Sequence, residues 1–191
     1  MLNLSIYKEY VFKNYKSNSQ IARVLTESWF CSEMYCPCCL NEKITKYPNN
    51  QKVADFLCDS CKNEYQGKSS SKNFGKILND GEYNTMVKFI SENLTPNFFL
   101  LHYSKADWKV DDLYFVPRFF INESIIIKRN PLSSTARRAG WIGCNVNLER
   151  IPMEGRIPVI KNRIILDKNI VFKTWKKMSF LEKKDPTARG W

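Results

Sequence analysis

Histidine is almost missing from this sequence, since His102 is the only one among 191 residues. A histidine base or a histidine-ligated catalytic metal would need that residue beside the other reactive side chains. His102 instead lies in an aromatic and apolar stretch, residues 98–103, far along the chain from the cysteine pairs described below. We therefore expect His102 to be structural, and the chemistry of the chain to use other side chains.

Long apolar segments are missing as well. No run of the sequence approaches the roughly 20 apolar residues that a membrane-spanning helix needs. The first twelve residues mix Leu and Ile with Lys8 and Glu9 and contain neither an apolar export core nor a small-residue cleavage site. The sequence thus predicts no membrane association and a cytoplasmic protein.

Acidic residues are scarce relative to basic ones. Asp and Glu number 19 and Lys and Arg 30, which gives a formal net charge of +11. Such an excess favours a polyanionic partner, because neutralising phosphates releases their condensed counterions. The alternative is that the charge only keeps the protein soluble or reflects a lysine-rich genome. With 43% hydrophobic and 14% aromatic residues, the chain can form a full globular domain.

Cysteine is the first positive signal. The seven cysteines are odd in number, and four of them form two C-x-x-C pairs, which indicates a metal site in a reducing compartment rather than disulfides. Two such pairs suit a tetrahedral Zn²⁺, and four thiolates saturate it, so the site is expected to be structural. The predicted ligands are Cys36, Cys39, Cys58 and Cys61. We interpret Cys38 as a spare thiol, and Cys31 and Cys144 as ordinary ones.

The hydrophobic pattern predicts an α/β fold. Helices are predicted over residues 19–29, 82–94 and 170–181, where apolar side chains recur at helical spacing. Asn79-Asp80-Gly81 is predicted to form a turn or to start a helix. Short β-branched and aromatic runs predict strands at residues 53–57, 64–68, 98–103, 113–116, 124–128, 157–160 and 164–166. This order predicts a mixed sheet flanked by helices, with the first two strands forming a hairpin that the zinc site staples.

The same hairpin carries a candidate catalytic centre. Asp55 lies in its first predicted strand, and Gln66 and Lys68 share one face of its second. Many Mg²⁺-dependent nucleases hold their metal with an Asp and, on the next strand, a Glu-x-Lys, Asp-x-Lys or Gln-x-Lys sequence. Asp55, Gln66 and Gly67 are the predicted Mg²⁺ ligands, and Lys68 would activate the attacking water and offset charge on the phosphate. The alternative is that Asp55 and Lys68 are only a cross-strand ion pair on a solvated face.

Longer segments, spread over nearly the whole chain, carry a resemblance. They are Tyr-Lys-Ser-Asn-Ser-Gln at 15–20, Tyr-Cys-Pro at 35–37, Val-Ala-Asp-Phe at 53–56, Asn-Asp-Gly at 79–81, Pro-Asn-Phe-Phe at 96–99 and Thr-Ala-Arg-Arg-Ala-Gly-Trp-Ile-Gly-Cys-Asn at 135–145. In these segments the sequence resembles the DpnI-like, Dam-replacing family of methyl-directed restriction endonucleases. The resemblance implies a PD-(D/E)XK nuclease domain with a four-cysteine zinc site, which cuts double-stranded DNA at GATC when the adenine carries an N6-methyl group.

The resemblance also implies roles for individual residues. It places the zinc ligands on the four cysteines named above and the catalytic positions on Asp55, Gln66 and Lys68. It places the aromatic side chain that helps to sense the adenine methyl groups on Trp141.

Trp141 and its neighbours also have plainer interpretations. By residue type alone, Trp141 is more often a core residue than part of a binding pocket. The neighbouring Arg137 and Arg138 suit contacts to phosphate or guanine. The alternative for these two arginines is a solvated surface pair.

The sequence departs from the family at Gln66, where the family has glutamate. An amide oxygen can ligate Mg²⁺ but carries no charge, so the affinity for Mg²⁺ should fall unless another carboxylate helps. Glu64 on the same strand face and Glu27 on the N-terminal helix are the candidates for that auxiliary carboxylate. Because Gln-x-Lys variants occur among active nucleases of this superfamily, we expect activity.

The second departure concerns the end of the sequence. The family continues past the segment that matches Arg189-Gly190-Trp191 into a winged-helix domain that also reads methylated DNA. We therefore expect one nuclease domain, residues 1–191, with the zinc site embedded at 36–61, no winged-helix domain in this chain, and a monomer or weak oligomer.

Three hypotheses of function follow. The first is a Mg²⁺-dependent endonuclease acting on methylated double-stranded DNA. The second, motivated by Gln66, is a zinc-stabilised reader that binds methylated DNA without cutting it. A zinc-ribbon interaction domain without a DNA function is disfavoured by the basic charge.

Overall fold

Four α-helices and two β-sheets make up the part of the chain that the computed structural model describes, residues 2–48 and 54–184. The helices are α1 (Lys8–Asn14), α2 (Asn18–Glu33), α3 (Tyr83–Ser91) and α4 (Lys168–Met178). The strands are β1 (Thr45–Lys46), β2 (Phe56–Leu57), β3 (Glu64–Ser70), β4 (Ile77–Glu82), β5 (Asn97–Ser104), β6 (Lys109–Val116), β7 (Ile126–Lys128), β8 (Gly143–Asn147), β9 (Ile157–Lys161) and β10 (Ile164–Ile165).

The larger sheet is mixed and has the strand order β1-β2-β3-β5-β6-β9-β10. Strands β3 and β5 run parallel, with Gln66 opposite Phe98 and Lys68 opposite Leu100, and the other neighbouring strands are antiparallel. A parallel pair needs a crossover connection. Here the crossover consists of β4 and α3, so the chain leaves the larger sheet directly after the strand that carries Gln66 and Lys68.

One face of the larger sheet packs against α2. Trp29 and Phe30 of this helix are buried, and the Phe30 ring stacks on Phe99 with 5.3 Å between the centroids. Phe56 of β2 lies 5.2 Å from the same ring. A Cβ atom on Gly67 would lie 3.1 Å from both Phe30 and Phe56. This close approach explains a glycine inside a strand, since a side chain there would disturb the aromatic packing.

The opposite face of the larger sheet packs against the smaller sheet, whose antiparallel strands have the order β4-β8-β7. A second buried cluster fills the space between them and includes Met86, Ile90, Phe98, Leu100 and Val146. Residues paired across parallel strands point to the same face, so Gln66 and Lys68 share the face of Phe98 and Leu100. The Gln66 and Lys68 side chains therefore point toward the smaller sheet.

The predicted mixed sheet flanked by helices is confirmed. The helices predicted over residues 19–29, 82–94 and 170–181 correspond to α2, α3 and α4, the last followed by a 3₁₀ turn. Val53, at the start of the predicted hairpin, and Arg189-Gly190-Trp191 lie outside the described residues. Within residues 2–48 and 54–184, no helix combines the length and the apolar character that crossing a membrane requires.

The prediction of a turn or helix start at Asn79-Asp80-Gly81 is wrong. These residues lie within β4, where Asn79 pairs with Asn145 and Glu82 pairs with Gly143 of β8. The register shifts between Asn79 and Glu82, as it does at a β-bulge, which re-aims side chains. The strand then passes into α3, whose first N–H groups are capped by the Glu82 carboxylate.

Candidate metal centre and active site

Four cysteine sulfur atoms converge beside the hairpin of β2 and β3. The Sγ atoms of Cys36, Cys39, Cys58 and Cys61 all lie within 4.8 Å of one another. Cys36 and Cys61 are 3.5 Å apart, and Cys39 and Cys58 are 3.6 Å apart. Tetrahedral zinc with Zn–S bonds of about 2.3 Å places its sulfur ligands about 3.8 Å from one another. The four thiols are therefore spaced to hold a metal ion such as zinc.

The two cysteine pairs form nearly the same turn. The residue after each pair adopts a left-handed backbone conformation, with φ of 64° at Leu40 and 59° at Lys62. The N–H groups of these two residues donate to the carbonyl oxygens of Cys36 (2.8 Å) and Cys58 (2.9 Å), respectively. This conformation is uncommon for residues other than glycine. Its repetition shows that each C-x-x-C segment closes on its own backbone.

The cysteine thiols differ in their electrostatic surroundings. A hydrogen bond with Cys38, together with burial, raises the pKa of Cys36. Burial also raises the pKa of Cys39 and of Cys61. Burial acts in the same direction on Cys58, but backbone N–H groups, that of Cys61 first, lower its pKa overall. A cation at the centre of the cluster would stabilise all four as thiolates.

Asp55 lies at the base of the same hairpin. Its N–H donates to the carbonyl of Tyr65, and its Oδ2 accepts the N–H of Gly67, both at 2.9 Å. Burial raises the pKa of Asp55, although the Gly67 N–H and the positive charge of Lys68 act against it. A buried carboxylate with a raised pKa is stabilised in its charged form by a nearby cation. Asp55 is thus suited to bind a metal.

Gln66 and Lys68 differ in whether their side-chain polar atoms have hydrogen-bond partners. Gln66 Oε1 is buried and accepts no hydrogen bond from the residues that the structure describes. Lys68 Nζ donates to Asp80 Oδ1 at 2.7 Å, and the Lys68 side chain is only 17% exposed. The alternative of an Asp55–Lys68 ion pair on a solvated face does not match this geometry, because Lys68 is largely enclosed and pairs with Asp80.

Asp80 is the residue that sequence reasoning missed. Its side chain is 1% exposed, and its Oδ1 also accepts the N–H of Gly81 at 2.7 Å. The other oxygen, Oδ2, is buried and has no hydrogen-bond donor among the described residues. Burial is the main cause of the raised pKa of Asp55, and the negative charge of Asp80 acts in the same direction. Asn-Asp-Gly is typical of turns, and the sequence contains no signal that overrides that pattern.

The two candidate auxiliary carboxylates have other partners. Glu27 of α2 forms an ion pair with Lys46 at 2.8 Å, although it is near enough to contribute to the raised pKa of Asp55. Glu64 accepts the hydroxyl of Tyr47 at 2.7 Å. Burial and this hydrogen bond raise the pKa of Tyr47 to about 12.

Trp141, Arg137 and Arg138 lie in the loop that joins β7 to β8. The Trp141 ring covers the backbone of Gly143, since a Cβ atom there would lie 2.8 Å from the ring. The guanidinium carbon of Arg138 is 4.5 Å from the ring centroid, and both arginines are exposed. Trp141 is half-buried, and its Nε1 finds no acceptor within the described part of the chain. Because Gly143 pairs with Glu82, this loop adjoins the strand that carries Asp80.

A comparison with known protein families matches residues 2–184 to the family described as "DpnI: Dam-replacing family". The match covers almost the entire chain. The chain belongs to the Dam-replacing family. Membership confirms the resemblance seen in the sequence segments, and it implies a restriction nuclease that binds DNA.

His102 of this Dam-replacing family member belongs neither to the cysteine cluster nor to the group formed by Asp55, Gln66 and Lys68. Its Nδ1 is 3.2 Å from Asp112 Oδ2, at a register shift between β5 and β6. The two residues line a cavity of 560 Å³ together with Arg156 and Lys161. This cavity is lined neither by the cysteine cluster nor by Asp55, Gln66 or Lys68.

Two donor sets of different chemistry therefore occur in this member of the Dam-replacing family. The sulfur atoms of the cysteine cluster match a soft or borderline cation such as zinc. The Asp55 carboxylate and the buried oxygens of Gln66 and Asp80 match a hard cation such as Mg²⁺. The Gln66 and Asp80 oxygens that lack donors among the described residues support this fit, since buried polar atoms are normally paired.

Proposed function

We propose that this chain is a Mg²⁺-dependent restriction endonuclease that cuts double-stranded DNA at GATC sites whose adenines carry N6-methyl groups. Family membership supports the restriction nuclease and its DNA partner. The observation that carries the hydrolytic part of the proposal is the grouping of Asp55, directly before β2, with Gln66 and Lys68 of β3. The Gln66 side-chain oxygen in this group has no donor among the described residues. The net charge of +11 is consistent with a phosphate-rich partner.

Asp55, Gln66 and Gly67 would hold the Mg²⁺ ion, and bound Mg²⁺ supplies Lewis-acid polarisation of the scissile phosphate. Asp55 is held for this task by the Gly67 N–H, which fixes one carboxylate oxygen. Lys68 is held by Asp80 and would orient the attacking water and offset the charge that develops on the phosphate. The face that carries Gln66 and Lys68 points toward the smaller sheet, so DNA would approach along the boundary between the sheets.

The cysteine cluster would bind one structural Zn²⁺. Cys36 and Cys39 lie before the hairpin, and Cys58 and Cys61 lie at its turn, so the ion would clamp β2 against β3 and fix Asp55 relative to Gln66. Four thiolates leave no open position for a substrate. Zinc in this role therefore supports the site without taking part in hydrolysis.

The loop with Trp141 would read the methyl groups. A half-buried indole offers an apolar surface that rewards burial of a methyl group, and Arg137 and Arg138 would contact phosphate or guanine. We further propose that the protein acts in the cytoplasm as a monomer or weak oligomer.

Digestion of matched plasmids tests the proposal. Purified protein is incubated with Mg²⁺ and plasmid DNA prepared with or without adenine methylation at GATC. The proposal predicts GATC fragments from the methylated plasmid alone. A methyl-dependent gel shift without cutting would favour the second candidate, a non-cleaving reader, which the uncharged Gln66 motivates. Absence of both binding and cutting would contradict a DNA function.

A further inference from the structure

The proposed Mg²⁺ site has too little negative charge if only its predicted ligands take part. Gln66 contributes an uncharged amide oxygen, so Asp55 is the only negatively charged side chain among the predicted ligands. Affinity for a hard divalent cation depends strongly on the number of charged ligands. Glu27 and Glu64, the carboxylates that the sequence suggests for this charge, pair instead with Lys46 and with the hydroxyl of Tyr47.

Asp80 has the charge and the orientation that the site lacks. It lies in β4 of the smaller sheet, and its Oδ1 binds the Lys68 ammonium at 2.7 Å, so its carboxylate faces the strand that carries Gln66. Its side chain is 1% exposed. The second oxygen, Oδ2, accepts no hydrogen bond within residues 2–48 and 54–184, and the same holds for Gln66 Oε1.

Buried oxygens without donors are rare in folded proteins, and a carboxylate oxygen is among the most costly to leave in that state. An ion pair with Lys68 satisfies only one of the two Asp80 oxygens. A divalent cation between Gln66 and Asp80 would satisfy the open oxygens and offset the charge of Asp80.

We propose that Asp80 is a further ligand of the divalent cation, which it binds through Oδ2, while its Oδ1 positions Lys68 beside that cation. Asp80 then restores the negative charge that Gln66 does not provide. The inference rests on the proposed function for the identity of the site, but it concerns metal binding and can be tested without DNA.

The test uses Mn²⁺ as the probe, because Mn²⁺ prefers the same oxygen ligands as Mg²⁺ and its free aqueous ion is measured directly by electron paramagnetic resonance. Zinc-loaded full-length protein is titrated with Mn²⁺ without DNA. We expect Asp80→Asn to weaken binding at least about tenfold, the scale on which metal sites respond to loss of a supporting group. Glu149→Gln is the matched control, since it removes one carboxylate charge from an exposed ion pair with Lys76.

A second pair of variants keeps the test valid if Asp80→Asn does not fold with an unpaired Lys68. Lys68→Gln removes a positive charge beside the site and should bind Mn²⁺ at least as tightly as the unchanged protein. Lys68→Gln combined with Asp80→Asn replaces the buried ion pair with two neutral amides and should lose that binding. The same series in thermal melts should show stabilisation by Mn²⁺ only where Asp80 is present.

The outcomes separate this inference from the proposed function. Equal Mn²⁺ affinity with and without Asp80, in either pair, would overturn the inference even if the protein cuts methylated DNA. The inference also fails if Glu64→Gln or Glu27→Gln weakens binding and Asp80→Asn does not. Mn²⁺ binding that requires Asp80 in a protein that never cuts DNA would overturn the proposed function and leave the inference standing.

Discussion

The cysteine cluster and the candidate catalytic centre share one hairpin, yet they are assembled in different ways. The cysteines come from two short turns, each closed by its own backbone hydrogen bonds. Asp55, the Gln66-Gly67-Lys68 segment and Asp80 come from three separate segments, and Asp80 reaches the others from the smaller sheet. Each half of the first site is determined by local sequence, whereas the second site depends on how the two sheets meet.

The two regions also differ in how well their polar atoms are paired. The cluster sulfurs contact one another and the Tyr65 hydroxyl. The candidate catalytic centre contains buried oxygens of Gln66 and Asp80 that lack donors in the described part of the chain. Perturbed and unpaired groups concentrate where function opposes stability. This contrast predicts that changes in the cluster mainly affect stability, and that changes in the candidate catalytic centre mainly affect activity.

Loss of the proposed zinc site should have the largest effect. Cys58→Ser removes one of four ligands, so we expect the protein to purify with far less than one equivalent of zinc. Structural zinc contributes about 10–16 kcal/mol in small zinc domains, and even part of that would lower the melting temperature by at least about 10 °C. Metal analysis and calorimetric melting measure both effects.

Cys31→Ser is the control for this prediction, because Cys31 lies in α2 outside the cluster. It should keep its zinc and its melting temperature. A Cys58→Ser protein that melts normally without zinc would remove the contrast between the two regions.

Replacement of Lys68 should come next. Lys68→Gln keeps a hydrogen-bonding group beside Asp80 but removes the charge that would stabilise the transition state. We expect cleavage to fall by about 10²–10³-fold, the usual effect of losing one such group, with DNA binding retained. Single-turnover cleavage and gel-shift titration measure the two quantities.

Lys88→Gln serves as the matched control, since this lysine is exposed on α3. Parallel loss of cleavage and binding in Lys68→Gln, together with a lower melting temperature, would mean that Lys68 is a structural residue.

Adding the missing charge should have a smaller effect. Gln66→Glu places a carboxylate where the buried amide oxygen now lies, so the Mg²⁺ concentration for half-maximal cleavage should fall by about tenfold. A Mg²⁺ titration of the cleavage rate measures it. An unchanged or higher Mg²⁺ requirement would show that residue 66 does not contact the metal.

Replacement of Asp55 by Asn should have the smallest effect, a change in melting temperature. Burial raises the pKa of Asp55 in the folded state above its unfolded value. The ionised side chain therefore costs stability above the raised pKa, and this cost disappears as the pH falls through it. In zinc-loaded protein without Mg²⁺, Asp55→Asn should therefore raise the melting temperature at neutral pH.

The gain from Asp55→Asn should shrink as the pH is lowered, which melting curves at a series of pH values can follow. A lower melting temperature for Asp55→Asn at neutral pH would contradict the view that this carboxylate is held at a cost to stability.

The same contrast explains what could be predicted from the sequence. Cys36, Cys39, Cys58 and Cys61 were identifiable because two residues separate the ligands within each pair, and a turn of that length determines their geometry. The helical period likewise predicted α2, whose buried side chains recur at Ile21, Leu25 and Trp29.

Asp80 could not be recognised in this way. Its local sequence is typical of a turn, and its position beside Lys68 results from the pairing of β4 with β8 and the packing of one sheet on the other. The prediction of Glu27 or Glu64 as the auxiliary carboxylate relied on local strand and helix geometry. Their partners, Lys46 and Tyr47, approach only in the folded chain.

The two regions are proposed to hold two metals with separate tasks, and one experiment tests this directly. Protein loaded with one equivalent of zinc and freed of other divalent ions is mixed with GATC-methylated plasmid, before and after Mg²⁺ is added. If zinc is structural and Mg²⁺ is catalytic, the DNA stays intact with zinc alone and is cut into GATC fragments once Mg²⁺ is present, with the zinc content unchanged. Cutting by the zinc-loaded protein without Mg²⁺, or no cutting after Mg²⁺ is added, would contradict this assignment of the two metals.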